Sequence, residues 1–244
     1  MNIAVIFAGG SGSRMHTKSR PKQFLNLHGK PILIYTIELF EEHPLVDAVV
    51  CVCIEGWIPR LRAMLEKHDI RKVVDVVPGG ATGQESIFRG LCAAEAYVRG
   101  LDASGARHVV MIHDGVRPLI DEATITANIQ KVEECGSCIT CAPAIETVII
   151  GECDGSIDIP PRKNCMMARA PQSFWLDEIL AAHRKSIDEG HTAFIDSCSM
   201  MHHYGYSLAT VTGPMENIKI TTPTDYYVMR AMIEVRENQQ IFGI

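Results

Sequence analysis

The 244-residue chain reads as an α/β protein built on a mostly parallel sheet. Three observations lead there. Short apolar runs alternate with longer stretches of helical period, the pattern of strands buried on both faces and joined by crossover helices. Apolar residues make up 47% and charged residues 21%, a globular balance that fills a core and argues against disorder. The nine cysteines are an odd number scattered through apolar stretches, so they read as small buried thiols rather than a disulfide frame. At this length one domain over residues 1–244 is expected, in a reducing, cytoplasmic setting.

The elements follow in order. Ile3–Phe7 is a strand that runs into glycines with no basic leader before it, and Ile32–Phe40 is the helix after it. Ala48–Ile54 and Ile58–Lys67 repeat the unit, as do Val73–Val77 and Glu85–Arg99. In the last helix Ile87, Leu91, Ala94 and Val98 recur at three and four residues, one stripe for a sheet, with Gly100 as the expected stop. His108–Ile112 is a further strand, and a helix follows around Thr124–Glu134. The pattern then breaks. Between about 143 and 172, Glu146–Ile150 and Ser156–Ile159 flank Asp154-Gly155, a hairpin pair, and Pro160-Pro161 end the second run. This predicts an inserted β-arm, and a two-stranded arm is marginal alone in water, so it is expected to pack on the same arm of a second copy. Helices around Leu176–Ile187 and Tyr226–Val235 close the chain.

Chemistry concentrates in three places. Ala8-Gly9-Gly10-Ser11-Gly12-Ser13-Arg14-Met15 directly follows the first strand, and Pro21-Lys22-Gln23 comes soon after. Glycines let backbone N–H groups converge on an anion while Arg14 and Lys22 add charge, although neither a P-loop nor a complete dinucleotide fingerprint is present. Alone, this loop reads equally well as a glycine turn beside solvated cations. His113-Asp114-Gly115-Val116-Arg117-Pro118 puts a carboxylate at the carboxyl end of a central strand, where open α/β sheets bind ligands and where Asp114 can hold Mg²⁺ or simply cap a turn. Glu216-Asn217-Ile218-Lys219-Ile220-Thr221-Thr222-Pro223 supplies a lysine and hydroxyls before the last helix, either an anion contact or a capped helix start.

With these clusters in place, the chain resembles the polyol-phosphate cytidylyltransferases, the family of the 2-C-methyl-D-erythritol 4-phosphate and ribitol-5-phosphate enzymes. AGGSGSRM, PKQF, PGGATGQES, HDGVRP, an ET pair in the arm, PPR, APQSF and ENIKITTP occur in that order over nearly the whole chain. The resemblance implies a Rossmann-like domain, a homodimer locked by β-arms, CTP and a polyol phosphate as substrates, and Mg²⁺ as cofactor. It implies that Ala8, Gly9, Gly10, Ser11 and Gly12 cover CTP, that Gly79, Gly80 and Ser86 meet its cytosine and ribose, and that Gly115 also belongs to the nucleotide site. Arg14, Lys22 and Lys219 become the catalytic cations. Asp114, a metal ligand, lies with Arg117 beside the acceptor, and Thr147 and Arg162 reach the acceptor phosphate from the partner subunit.

The acceptor is judged from the arm. Glu146-Thr147-Val148-Ile149 lacks the lysine that follows the methylerythritol enzymes' Asp-Thr pair, and HDGVRP and PQSF look more like the ribitol branch, so ribitol 5-phosphate is expected and methylerythritol phosphate is the alternative. Ala170 and Ile195 stand where both branches usually carry threonine. A reductase partner that supplies the acceptor is compatible with the reading. A net charge of −6 argues against a protein that coats nucleic acid, and no apolar run reaches the ~18 residues of a membrane helix. Three other readings compete: a nucleotide-binding regulator without turnover, a UTP or GTP enzyme, and a metal or redox centre on Cys135, Cys138 and Cys141 with Cys153 and Cys165. A regular strand would turn Cys138 and Cys141 to opposite faces.

Overall fold

The computed structural model describes residues 1–10, 20–101, 105–151 and 155–242. The strands are β1 (Asn2–Ala8), β2 (Asn26–Leu27), β3 (Lys30–Pro31), β4 (Ala48–Cys53), β5 (Val73–Pro78), β6 (Val109–Asp114), β7 (Ser137–Pro143), β8 (Ile150–Gly151), β9 (Ile157–Asp158), β10 (Met166–Trp175) and β11 (Thr210–Thr212). The helices are α1 (Ile32–Glu41), α2 (Ile58–Lys67), α3 (Gly83–Leu101), α4 (Glu122–Cys135), α5 (Leu176–Asp188), α6 (Ser197–His203) and α7 (Pro223–Phe242).

Seven strands form one sheet in the order β11-β7-β10-β6-β1-β4-β5. β6, β1, β4 and β5 are parallel, as strand–helix alternation requires, whereas β10 runs antiparallel to both β6 and β7. Side chains alternate between two apolar layers. Ala4, Ile6, Val49 and Cys51 face one and Ile3, Val5, Val50 and Val52 the other. Residues from α1, α2 and α4 fill the first layer, and those from α3, α5 and α6 fill the second. The stripe Ile87, Leu91, Ala94 and Val98 lies in the second layer, as its spacing predicts. Gly90 lets α3 approach closely, since a Cβ there would stand 2.5 Å from Val5 Cγ1 and 2.7 Å from Val52 Cγ2.

One polar cluster inside this core is internally paired. Asn128 on α4 donates to the Thr124 carbonyl and to Thr140 Oγ1 at 2.8 Å, and it accepts from Ser173 Oγ at 2.8 Å. One amide thus ties α4 to β7 and β10 at little desolvation cost.

Two expectations need correction. Gly100 is not the stop of its helix, because α3 continues to Leu101. The arm is narrower than 143–172: Pro143 still belongs to β7, and Met166–Trp175 is a full strand of the main sheet. Its hairpin is reduced to the antiparallel pairs Ile150–Asp158 and Gly151–Ile157, so Glu146–Thr147 are not in a strand. Gly155 takes φ +87°, the conformation expected of a hairpin glycine, and Asp154 lies outside the described residues.

Candidate active site

Two cavities open at the carboxyl ends of β1 and β6. The larger, about 700 Å³, is bounded by the start of the glycine loop, Lys22, Gly80, the first residues of α3, Asp114 and Lys219. The second, about 290 Å³, is bounded by Arg117, Arg169, Ala170, Gln172, His183 and Asp196, among others. Phe7, Gly83, Asp114 and Lys219 belong to both. The cavities therefore meet at one carboxylate and one ammonium.

The glycine loop leaves β1 where two backbones almost touch. A Cβ on Gly9 would lie 3.2 Å from Gly79 Cα, and one on Gly79 would lie 3.0 Å from Gly9 Cα. Only glycines permit that approach. Gln23, in the 3-10 turn Lys22–Phe24, donates to the carbonyls of Ala8 (2.5 Å) and Gly10 (3.2 Å) and so fixes the loop's first residues. Lys22 Nζ donates to the Ile220 carbonyl at 2.8 Å, which joins the two cation-bearing segments. Opposite them, Ser86 Oγ accepts from the Gly80 N–H at 3.0 Å, and Thr82 and Glu85 cap the start of α3. That helix end points its partial positive charge into the larger cavity.

At the junction, Asp114 Oδ1 lies 2.5 Å from Lys219 Nζ and Oδ2 lies 2.7 Å from Arg117 Nε. Burial raises the pKa of this carboxyl, but the two cations and their hydrogen bonds outweigh it and bring it to about 2. Arg117 also donates to the Asn217 carbonyl at 3.0 Å, and the Asn217 amide donates to the Ala170 carbonyl at 2.7 Å. The segment that carries Lys219 is thereby locked to β10. His113 faces away and supports the strand end: its Nε2 lies 3.1 Å from the Arg117 carbonyl, and burial lowers its pKa to about 4.

The structure brings Ala8, Gly9, Gly10, Lys22, Gly80, Ser86, Asp114 and Lys219 around the larger cavity and Arg117 around the second. Gly79 backs the loop without lining it. Gly115 lines neither cavity. It is a packing glycine, whose Cβ would lie 2.7 Å from Leu33 Cδ1 and 3.0 Å from Ala8 Cβ. Ser11, Gly12 and Arg14 lie outside the described residues. Thr147 and Arg162 are exposed on the arm and line neither cavity of their own chain. Arg169, Gln172, Gln84 and His183 were not singled out in the sequence. Gln84 and Gln172 fall within PGGATGQES and APQSF, whereas Arg169 and His183 sit in no recognisable local motif, and only the fold brings the four to one wall.

The competing metal reading fails on geometry. Cys138 and Cys141 lie in opposite core layers, and the described residues contain no group of three His, Cys, Asp or Glu side chains able to hold an ion. Burial first of all raises the pKa of the Cys138 thiol to about 12, which makes it inert. Mg²⁺ is a different case, because it commonly takes one or two carboxylates and completes its shell with phosphate oxygens and water. Asp114, ionised and with a lone pair left on each oxygen, fits as such a ligand.

Comparison with known proteins accords with this geometry. The chain matches the family of 2-C-methyl-D-erythritol 4-phosphate cytidylyltransferase over residues 2–235. It is 49% identical to a ribitol-5-phosphate cytidylyltransferase of Vibrio parahaemolyticus, with both chains covered in full, and 35% identical to a 2-C-methyl-D-erythritol 4-phosphate cytidylyltransferase of Syntrophotalea carbinolica over 96% of this chain and 97% of the other. The crystal structure of 4-diphosphocytidyl-2C-methyl-D-erythritol synthase from Anaerococcus prevotii superimposes with a TM-score of 0.79 at 25% identity and 96% coverage of each chain. By sequence over nearly its whole length and by fold, the chain belongs to the 2-C-methyl-D-erythritol 4-phosphate cytidylyltransferase family.

Proposed function

We propose that the protein transfers CMP from CTP to ribitol 5-phosphate, giving CDP-ribitol and pyrophosphate. One observation carries the chemistry: two cavities meet at the Asp114–Lys219 pair, so two anionic substrates seated in them would face each other there. The larger cavity is within the ~300–1,000 Å³ range of small-molecule sites and accommodates the nucleotide. A phosphate oxygen of the polyol forms a bond to the α-phosphorus of CTP, the bond from that phosphorus to the β-phosphate's bridging oxygen breaks, and pyrophosphate leaves with the electron pair. The attacking phosphate is already ionised, so no general base is required. Lys22 and Lys219 offset the charge that builds on the transferring group, and Asp114 and Arg117 hold Lys219 in place. Mg²⁺, when bound, would neutralise phosphate charge beside Asp114.

Ribitol 5-phosphate is favoured by the 49% relatives, among them a ribitol-5-phosphate cytidylyltransferase of Streptococcus agalactiae. Ala170 and Ile195, both at the second cavity, bring no hydroxyl to it. We further propose that two copies pair through their arms, where Ile149, Ile150, Ile157 and Ile159 are exposed, and that Thr147 and Arg162 then serve the partner's site. The free cysteines suit a reducing cytoplasm, and ribitol 5-phosphate, a reduced sugar phosphate, would come from a reductase. No helix among the described residues is long and apolar enough to cross a membrane.

The test is pyrophosphate release from CTP and Mg²⁺ with each polyol phosphate supplied separately. Release with ribitol 5-phosphate is expected. Release with methylerythritol 4-phosphate alone would overturn the choice of acceptor, and release with UTP or GTP in place of CTP would overturn the choice of nucleotide.

A further inference from the structure

The polar side chains around the smaller cavity divide into two groups. Most have spent their hydrogen bonds on the protein. Gln84 donates to Ser186 Oγ at 2.7 Å and to the His191 carbonyl at 2.9 Å, and it accepts from the Phe194 N–H at 3.0 Å. Gln172 donates to Asp196 Oδ2 at 3.1 Å and accepts from the Cys198 N–H at 2.8 Å. Asp196 caps α6 through Ser199. Two side chains differ. His183 is 1% exposed and, among the described residues, neither ring nitrogen has a partner; Ser197 is 3% exposed and its hydroxyl has none among them either. Both line the smaller cavity and neither lines the larger.

Buried polar groups are almost always satisfied, so unspent capacity at a cavity wall asks for a ligand that supplies the missing partners. The His183 ring is positioned by stacking on Phe88, at 5.7 Å between centroids and 26° between planes, which uses its faces and leaves both nitrogens free. Burial lowers its pKa to about 4. At neutral pH the ring is therefore uncharged and offers one N–H donor and one lone-pair acceptor, and Ser197 adds a hydroxyl that does both. A phosphate would demand donors only. A chain of hydroxyls, each donor and acceptor at once, matches this set.

We propose that His183 and Ser197 are specificity-determining residues that hydrogen-bond the hydroxyls of the polyol chain at the end of the smaller cavity away from the reacting phosphate. This rests on the assignment of that cavity to the acceptor. The polar atoms are shielded from solvent, so each side chain must turn toward the cavity when the acceptor binds.

The test compares His183→Phe, which keeps the ring stack and removes both nitrogens, with His183→Gln, which restores a donor and an acceptor, and with Ser197→Ala. The reference substrate is whichever polyol phosphate the wild-type protein turns over. If that is methylerythritol 4-phosphate, the ribitol reading falls while the variants still decide this proposal. His183→Phe is expected to raise the acceptor KM about 10- to 100-fold, Ser197→Ala about 3- to 10-fold, and His183→Gln less than His183→Phe, all with the KM for CTP unchanged. An acceptor KM equal to wild type in His183→Phe, or a KM for CTP that rises in parallel, overturns the proposal. Should His183→Phe fail to fold, an unchanged acceptor KM in Ser197→Ala overturns it.

Discussion

Two buried histidines should make the fold acid-sensitive well above the range in which carboxylates titrate. Burial is the largest influence on both His113 and His183 and lowers each pKa to about 4 from 6.5. The Arg117 carbonyl and Asp114 act against that shift at His113, while Arg117 and Lys219 add to it. A histidine with a lowered folded-state pKa binds fewer protons in the folded chain than in the unfolded chain between those two values. Stability is therefore full above about pH 6.5 and is lost as pH falls toward about 4. Going from about pH 7 to about pH 5 removes about 2 kcal/mol per histidine and about 4 kcal/mol for the pair, a large share of the ~5–15 kcal/mol that holds a domain folded. Asp114, with its pKa near 2, stays ionised throughout this window and does not contribute. Urea unfolding at the two pH values and one protein concentration measures the difference. His183→Phe should cut it to about half, to ~2 kcal/mol, because only His113 then resists protonation. Equal stability at both pH values in the wild type, or an undiminished difference in the variant, would refute the reasoning.

Other expectations are direct. Lys22→Ala and Lys219→Ala should each lower turnover about 100- to 1,000-fold in protein that still folds, and near-normal rates in both would remove these lysines from the reaction. Gly90→Ala should destabilise by about 1–3 kcal/mol despite the better helix former, because its Cβ meets Val5 and Val52 at 2.5 and 2.7 Å; a stabilised variant in a melting assay would show that α3 can shift outward. If two copies pair through their arms as proposed, the wild type should sediment as a dimer and Ile157→Asp, at a residue 62% exposed on β9, as a monomer; a dimer of undiminished affinity in the variant would place the interface elsewhere.

Sequence periodicity determined the layers, since a period of two in β1 and β4 and of three to four in α3 is a property of each segment's own geometry. It also exposed the glycine loop, Asp114 and Lys219, because glycine and charge at the end of an apolar run carry a local chemical meaning. What it left open depended on distant partners. Gly115 sits inside a motif, yet Leu33 and Ala8 make it a packing residue. Met166–Trp175 follows the hairpin in sequence but pairs with β6 and β7, which only sheet assembly decides. His183 and Ser197 have no local signature at all. They matter because α5 and α6 fold onto β10 and bring two unsatisfied groups to one cavity wall, and whether a buried group is satisfied is a property of its surroundings rather than of the chain.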